Sequence, residues 1–351
     1  MESFCSHLPK VELHAHLNGS LSQKVLYELY MSDPNITKSD DIIKLISSFH
    51  SGEERTLEDC FKAFDIAHAV TVTPNAVKKV TKDVICEFAA DNVMYLEIRT
   101  TPRAVPGAMT KTQYIQAVID TIQEIPTFIG PDKFIVVKLL LSVNRREGLT
   151  EAEENIKAAI AAHVAYPEVV VGVDLSGNPS CGNVTDEILP LFTNARVSGL
   201  KIALHCAEIP NEDEVEAILK FKADRLGHGT CIHPNYGGTD KLWSLFLQYR
   251  TPLEVCLTSN LKCQTVESYE KHHIQKLLPI QYPIVISTDD KAVFSTTLSE
   301  EFRVVAETFS LSKMELCNFT QKAIEVSFAS SDEKKLLLDK LSDFKRQQGL
   351  L

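Results

Sequence analysis

The stretch Val11–Ser20 reads VELHAHLNGS and sets two histidines, His14 and His16, at the end of an apolar run. Residues two apart on a strand share a face, so both imidazoles can point into one cavity, as two ligands of one metal ion must. Similar polar groups end three later apolar runs. LHCAE carries His205 and Glu208, RLGHGT carries His228, and STDD carries Asp289 and Asp290. Neutral imidazoles with a carboxylate make a borderline-hard N/O donor set. Such a set suits Zn²⁺, although Fe²⁺ or Co²⁺ can occupy the same geometry. HxH by itself is a weak signal; HxH, HxxE, His and DD in succession at the ends of strand-like runs is a specific one. Of the eleven histidines, His50, His163, His272 and His273 lack such spacing and are read as surface or satisfied core residues. The HExxH of helical zinc proteases is absent, as is the HxE with PCxxC of cytidine-type deaminases. DLSGNP, where a bridging lysine of a two-metal barrel would stand, contains none, which favours one metal ion.

These groups need elements that bring them together. Eight strand-like runs are expected: Lys10–His16, Val93–Arg99, Lys133–Val143, Val169–Leu175, Lys201–Cys206, Asp224–His228, Pro252–Cys256 and Pro283–Ser287. Amphipathic helical patterns such as EAEENIKAAIAAHVAY and DEVEAILKFK lie between most of them. Near-continuous apolar strands alternating with helices indicate a covered parallel sheet, and eight units indicate an α/β fold of the (β/α)8 TIM-barrel type. The catalytic end of such a barrel is where the strands' C-termini meet, which is where the polar groups fall. From Leu21 to Asn92 helical patterns run without a strand. This is read as a helical insertion after the first strand, at about 21–92, lying over the barrel mouth within a single 1–351 domain. DEKKLLLDKLSDFKRQQ reads as a C-terminal amphipathic helix.

The motifs ELHAHLNGS, DLSGNP, LHCAE, RLGHGT, LEVCLTSN and STDD resemble, in order and over almost the whole chain, the metal-dependent adenosine and AMP deaminase family of the amidohydrolase superfamily. Within it the likeness is to the adenosine deaminase-like branch, which implies hydrolytic deamination of N6-methyl-AMP to IMP and an alkylamine. The resemblance implies one Zn²⁺ per chain on His14, His16, His205 and Asp289. It makes Glu208 the general acid at purine N1 and His228 a catalytic group beside the reacting water. It sets Asp290 at N7 and the backbone N–H of Gly177 at N3. A glycine in DLSGNP can equally be a turn residue. Asp290 must be protonated to donate to N7, and the neighbouring carboxylate makes that feasible.

One departure from the adenosine-specific pattern bears on the substrate. Where those members carry aspartate after HxHL, this chain has Asn18. A carboxylate about 4 Å from a 5′-phosphate costs roughly 4 kcal/mol per unit-charge pair at an effective dielectric near 20, before screening. Asparagine removes that charge and offers N–H donors. Further phosphate donors are expected among Thr56, Lys62 and His68 on RTLEDCFKAFDIAH, and among Arg99, Thr101, Arg145 and Arg146 at strand ends. Two other readings compete. One is an adenosine deaminase, which Asn18 opposes. The other is a catalytically silent barrel that binds a ligand, which the complete acid-and-ligand set opposes.

Composition narrows the partners. The net charge of −11 and pI near 5.5 argue against a general nucleic-acid binder. Nine scattered cysteines without a CxxC pair, and no basic–apolar leader, are read as reduced thiols of a cytosolic protein. FIVVKLLLSV is too short to span a membrane and carries Lys138. The partner that the resemblance implies is a small purine nucleotide, and with it a monomer that binds neither nucleic acid nor membrane is expected.

Overall fold

The structure, a computed structural model, describes residues 1–32, 38–48 and 57–351. Eight parallel strands follow one another around a (β/α)8 barrel: β1 Lys10–His16, β2 Val93–Thr100, β3 Val136–Asn144, β4 Val170–Ser176, β5 Lys201–Cys206, β6 Arg225–His228, β7 Leu253–Val255 and β8 Ile284–Ile286. Seven match the expected runs to within one residue at each end. β3 starts three residues late, because Lys133 N–H closes a turn onto Gly130 O at 3.0 Å. The ring closes just past β8, where Asp289 N–H donates to His14 O at 2.8 Å and His16 N–H donates to Asp289 O at 3.0 Å. The seam is clamped from within. Glu12 accepts from the backbone N–H of His14 at 2.8 Å and from the Thr288 N–H and hydroxyl at 3.0 and 2.8 Å.

Val, Ile and Leu of the strands pack outwards under the helices, as parallel strands buried on both faces must. The inside of the barrel is different. Glu12, Glu97, Arg99, Asp174, Arg225 and Glu254 are all fully buried. All but Glu12, which serves the seam, form a continuous set of ion pairs rather than an apolar plug. Arg225 Nε donates to Glu254 at 2.6 Å and a second nitrogen of the same guanidinium pairs with Glu97. Arg99 pairs with Asp174 at 2.9 Å and also with Glu254. Phe328 stacks on the Arg225 guanidinium, 3.6 Å from the ring centre, and closes the far end.

Between β1 and β2 the described chain is helical, over Gln23–Ser32, Asp40–Ser48, Leu57–Val70 and Pro74–Ala90. The last belongs to the barrel wall, packed against β2 and the helix Lys111–Gln123. The helix Leu57–Val70 is tied to the end of β2 by Arg103, which donates to His68 O at 2.8 Å and to Thr71 O at 2.6 Å. The C-terminal helix Ser331–Gln347 starts from a reciprocal Ser330–Glu333 cap.

Candidate active site

β1 and β5 point their terminal histidines to the barrel axis, and the turn after β8 adds Asp289. His14 Nε2 and His16 Nε2 lie 3.2 and 3.1 Å from His205 Nε2. Each also lies 3.3 Å from Asp289 Oδ1. All four ligand atoms fall within 4.8 Å of one another. Ligands about 2.05 Å from a tetrahedral ion sit about 3.3 Å apart, so these spacings fit one zinc-sized cation. Gly227 of β6 makes room: a Cβ there would sit 2.7 Å from His14 Cε1.

The ring tautomers fit as well. His14 Nδ1–H donates to Glu254 at 2.8 Å and His205 Nδ1–H donates to Asp174 at 3.1 Å. Each bond leaves the Nε2 lone pair facing the centre, which is how a carboxylate behind a histidine prepares it for a metal. Burial alone would raise the Asp289 carboxyl, but His14, His228 and His16 hold it well below the usual range. Its Oδ2 accepts from the Ser259 hydroxyl at 2.7 Å.

Around this cluster stand His228, Glu208 and Asp290. His228 Nε2 is 3.8 Å from Glu208 Oε2 and 4.0 Å from Asp289 Oδ2. Burial raises the Glu208 carboxyl above its ordinary value, yet 22% of its side chain is open to the mouth. Asp290 is pushed well above the carboxylate range by burial, then by Asp289 and Glu208, and its Oδ1 has no partner among the described residues. His228 and Asp289 both hold φ near +60°, at 61° and 62°. Non-glycine residues adopt that conformation at a cost of about 1–3 kcal/mol each, when surrounding structure imposes it. Gly177 follows β4 with φ of 101°, and a Cβ there would meet Asn144 Oδ1 at 2.2 Å, so backbone conformation and close approach both require glycine.

Asn18 lies beyond His16, in the turn that Ser20 N–H closes onto Leu17 O. It hydrogen-bonds the Tyr114 hydroxyl, which pairs with Thr100 Oγ1 at 2.6 Å, and its Oδ1 is buried without a partner among the described residues. His68 is held down to about 4 by burial and by Arg103, with Arg146 adding to the effect. Thr101 continues directly from β2. Two expected phosphate donors are engaged elsewhere. Arg99 is fully buried in the barrel's ion pairs. Arg145 forms a two-pronged pair with Glu214, at 2.8 and 2.6 Å, and also donates to Cys181 O. Thr56 and the Lys62 side chain lie outside the described residues.

Sequence reasoning passed over His272, His273, Asn260 and Arg103. His272 and His273 are buried against His228 rather than exposed. The HH pair directly before an apolar run was the available signal, but nothing local to it indicates His228 as its target.

A family model described as adenosine deaminase matches residues 9–344. The chain belongs to the adenosine deaminase family. It is 42% identical to the N6-methyl-AMP deaminase of Bos taurus over 345 residues, covering 98% of this chain and 96% of the relative. Among solved structures it resembles the apo N6-methyl-AMP deaminase of Arabidopsis thaliana, with a TM-score of 0.87 at 35% identity over 99% of this chain and 100% of the other. It resembles the Arabidopsis ADAL complexed with IMP equally well, with a TM-score of 0.87 at 35% identity over 99% of each chain. Family membership and the converging His/Asp cluster together mark a metal site at the catalytic end of this deaminase barrel. His14→Ala is expected to lose bound metal and turnover together, measured by elemental analysis and steady-state assay of the same preparation. Full turnover by a metal-free preparation of the variant would exclude His14 as a ligand.

Proposed function

We propose that this deaminase hydrolyses N6-methyl-AMP to IMP and methylamine, and accepts related N6-substituted purine nucleoside monophosphates. The observation that carries the reading is a carboxyl with raised affinity for its proton, Glu208, beside the converging donor cluster. The substrate is supported by Asn18 and by the relatives' N6-methyl-AMP and IMP. We take the metal as a single Zn²⁺ held by His14, His16, His205 and Asp289, the N/O set and spacing it suits. When bound, such an ion acidifies a water to give a nucleophile near neutral pH.

The chain's own residues do the rest. Glu208, protonated, delivers its proton to N1 as C6 is attacked, so negative charge does not accumulate on the ring. Asp290, also protonated, donates to N7, and the Gly177 N–H faces N3. His228 and Asp289 flank the attacking water and between them orient it and take up its proton. That proton passes to the departing methylamine nitrogen as the C6–N6 bond breaks. The hydrogen of the added hydroxyl restores the Glu208 acid while C6=O forms.

At the 5′ end, either hydroxyl of the Tyr114–Thr100 pair can donate, so Asn18 can turn its NH₂ towards a phosphate oxygen. Aspartate there could offer acceptors only. His68, Arg103 and Arg146 place donors and positive charge nearby; with Thr101 and Lys62 they are our assignment for the phosphate. Cys5, Cys206, Cys231, Cys256 and Cys317 are buried free thiols, which supports a reducing compartment, and we assign the cytosol.

Glu208→Gln keeps the shape but removes the transferable proton. Metal and nucleotide binding should persist while kcat falls at least about a hundredfold. The wild-type rate should decline as pH rises past the raised Glu208 value, because the acid form is then lost; this limb should vanish in the variant. A near-normal kcat would assign N1 protonation to another group.

Ultraviolet assay of N6-methyl-AMP, AMP and adenosine tests the substrate directly. Asn18→Asp should reduce kcat/KM for N6-methyl-AMP far more than for N6-methyladenosine, and high salt should narrow the gap. An equal loss on both substrates would remove residue 18 from phosphate recognition.

A further inference from the structure

His228 is held from two directions by consecutive histidines of one segment. His273 Nε2–H donates to the His228 carbonyl at 2.9 Å and fixes its left-handed backbone. The ring is reached through Asn260: its amide lies 3.2 Å from His228 Nδ1 on one side and 3.0 Å from His272 Nε2 on the other. His228, Asn260 and His272 are all buried.

The direction of this chain follows from its far end. The backbone N–H of Ile274 donates to His272 Nδ1 at 3.1 Å. A backbone N–H can only donate, so His272 Nδ1 must present a lone pair and the ring's proton sits on Nε2. His272 Nε2–H therefore donates to Asn260, whose facing atom must be the carbonyl oxygen. That leaves the NH₂ of Asn260 turned to His228 as a donor. His228 Nδ1 must in turn accept, so its single proton sits on Nε2, the nitrogen facing Glu208 and Asp289. Each step uses only which atoms can donate, and one fixed N–H sets all of them.

We propose that His272 is a positioning residue that acts through Asn260 to fix the Nε2–H tautomer of His228. The consequence for the mechanism, which rests on the deaminase reading above, is a division of labour at the water. A neutral His228 with its proton on Nε2 donates to the water oxygen and orients it. It has no lone pair there to receive a proton. The acceptor is then Asp289 Oδ2, which the Ser259 hydroxyl already holds in place at 2.7 Å. If the amide of Asn260 were free to turn over, His228 could adopt the opposite tautomer. Its Nε2 lone pair would then compete with Asp289 for the same hydrogen.

The test is ¹⁵N NMR of the metal-loaded enzyme labelled at histidine, with the His228 signals assigned by their loss in His228→Gln. Wild type should show His228 with a protonated Nε2 and a bare, downfield-shifted Nδ1. His272→Phe keeps a ring but removes the donor. It should yield a mixed or reversed His228 tautomer and lower kcat about tenfold or more, as loss of an outer hydrogen-bond partner does. KM and metal content should be unchanged. His272→Gln, which retains an N–H donor, should restore much of both. A bare Nε2 on wild-type His228 would overturn the proposal whether or not either variant folds. So would an unchanged tautomer and kcat in His272→Phe. Failure of the enzyme to turn over any purine nucleotide would remove the deaminase reading but leave the tautomer result standing.

Discussion

Three imidazole nitrogens and a carboxylate oxygen, with neighbours 3.1–3.3 Å apart and all but His16 buried, are tolerable together only around positive charge. Most of what surrounds this cluster serves to keep it assembled. Burial and Arg99 work against protonation of His14, yet Asp289 and Glu254 hold its affinity for a proton up at about 9. In the absence of a cation the site would thus draw in a proton. The wider environment points the same way. Three interior carboxylates, Glu97, Asp174 and Glu254, share two guanidinium groups, Arg99 and Arg225, and Asp289 above them pairs with His14, His16 and His228.

Those ion pairs explain why the barrel interior is charged when an apolar filling would be easier to build. Replacing a buried ion pair by hydrophobic residues is often neutral or stabilising, so stability alone does not account for it. Here two of the carboxylates have a second partner in the site: Glu254 orients His14, and Asp174 orients His205. Arg99 bridges the two carboxylates. The orientation of two ligand histidines thus depends on one guanidinium deep in the barrel. The same constraint sets pKa values apart at the mouth. Asp289 is held ionised by histidines, while Asp290 beside it and Glu208 across from it are pushed towards their protonated forms. Acid and acceptor roles at neutral pH follow from that separation.

The strand order and the polar strand ends were legible in the sequence, because apolar runs of the right length follow one another and four of them stop at or close to His or Asp. The interior charges were not. A parallel strand is buried on both faces, so a lone Glu or Arg within it, as in YLEIR or LEVC, does not declare which face it occupies. Arg99 and Arg145 were therefore expected at the phosphate, and the structure commits them to Glu254, Asp174 and Glu214. Arg103, four residues past Arg99, is the arginine that reaches the helix Leu57–Val70. The His272–Asn260–His228 chain joins the end of β6, the helix Leu257–Lys262 and the segment that follows it, and no local pattern encodes such a contact.

The central claim is that one divalent cation completes a buried site of three imidazoles and one carboxylate. X-ray absorption at the zinc edge of the purified enzyme, with metal quantified on the same sample, tests it most directly. The account predicts one zinc per chain, an N/O shell at about 2.0–2.2 Å and the multiple scattering of several imidazoles, with no sulfur and no metal–metal vector. A sulfur shell, a second metal at about 3.5–4 Å, or full turnover without stoichiometric metal would contradict it.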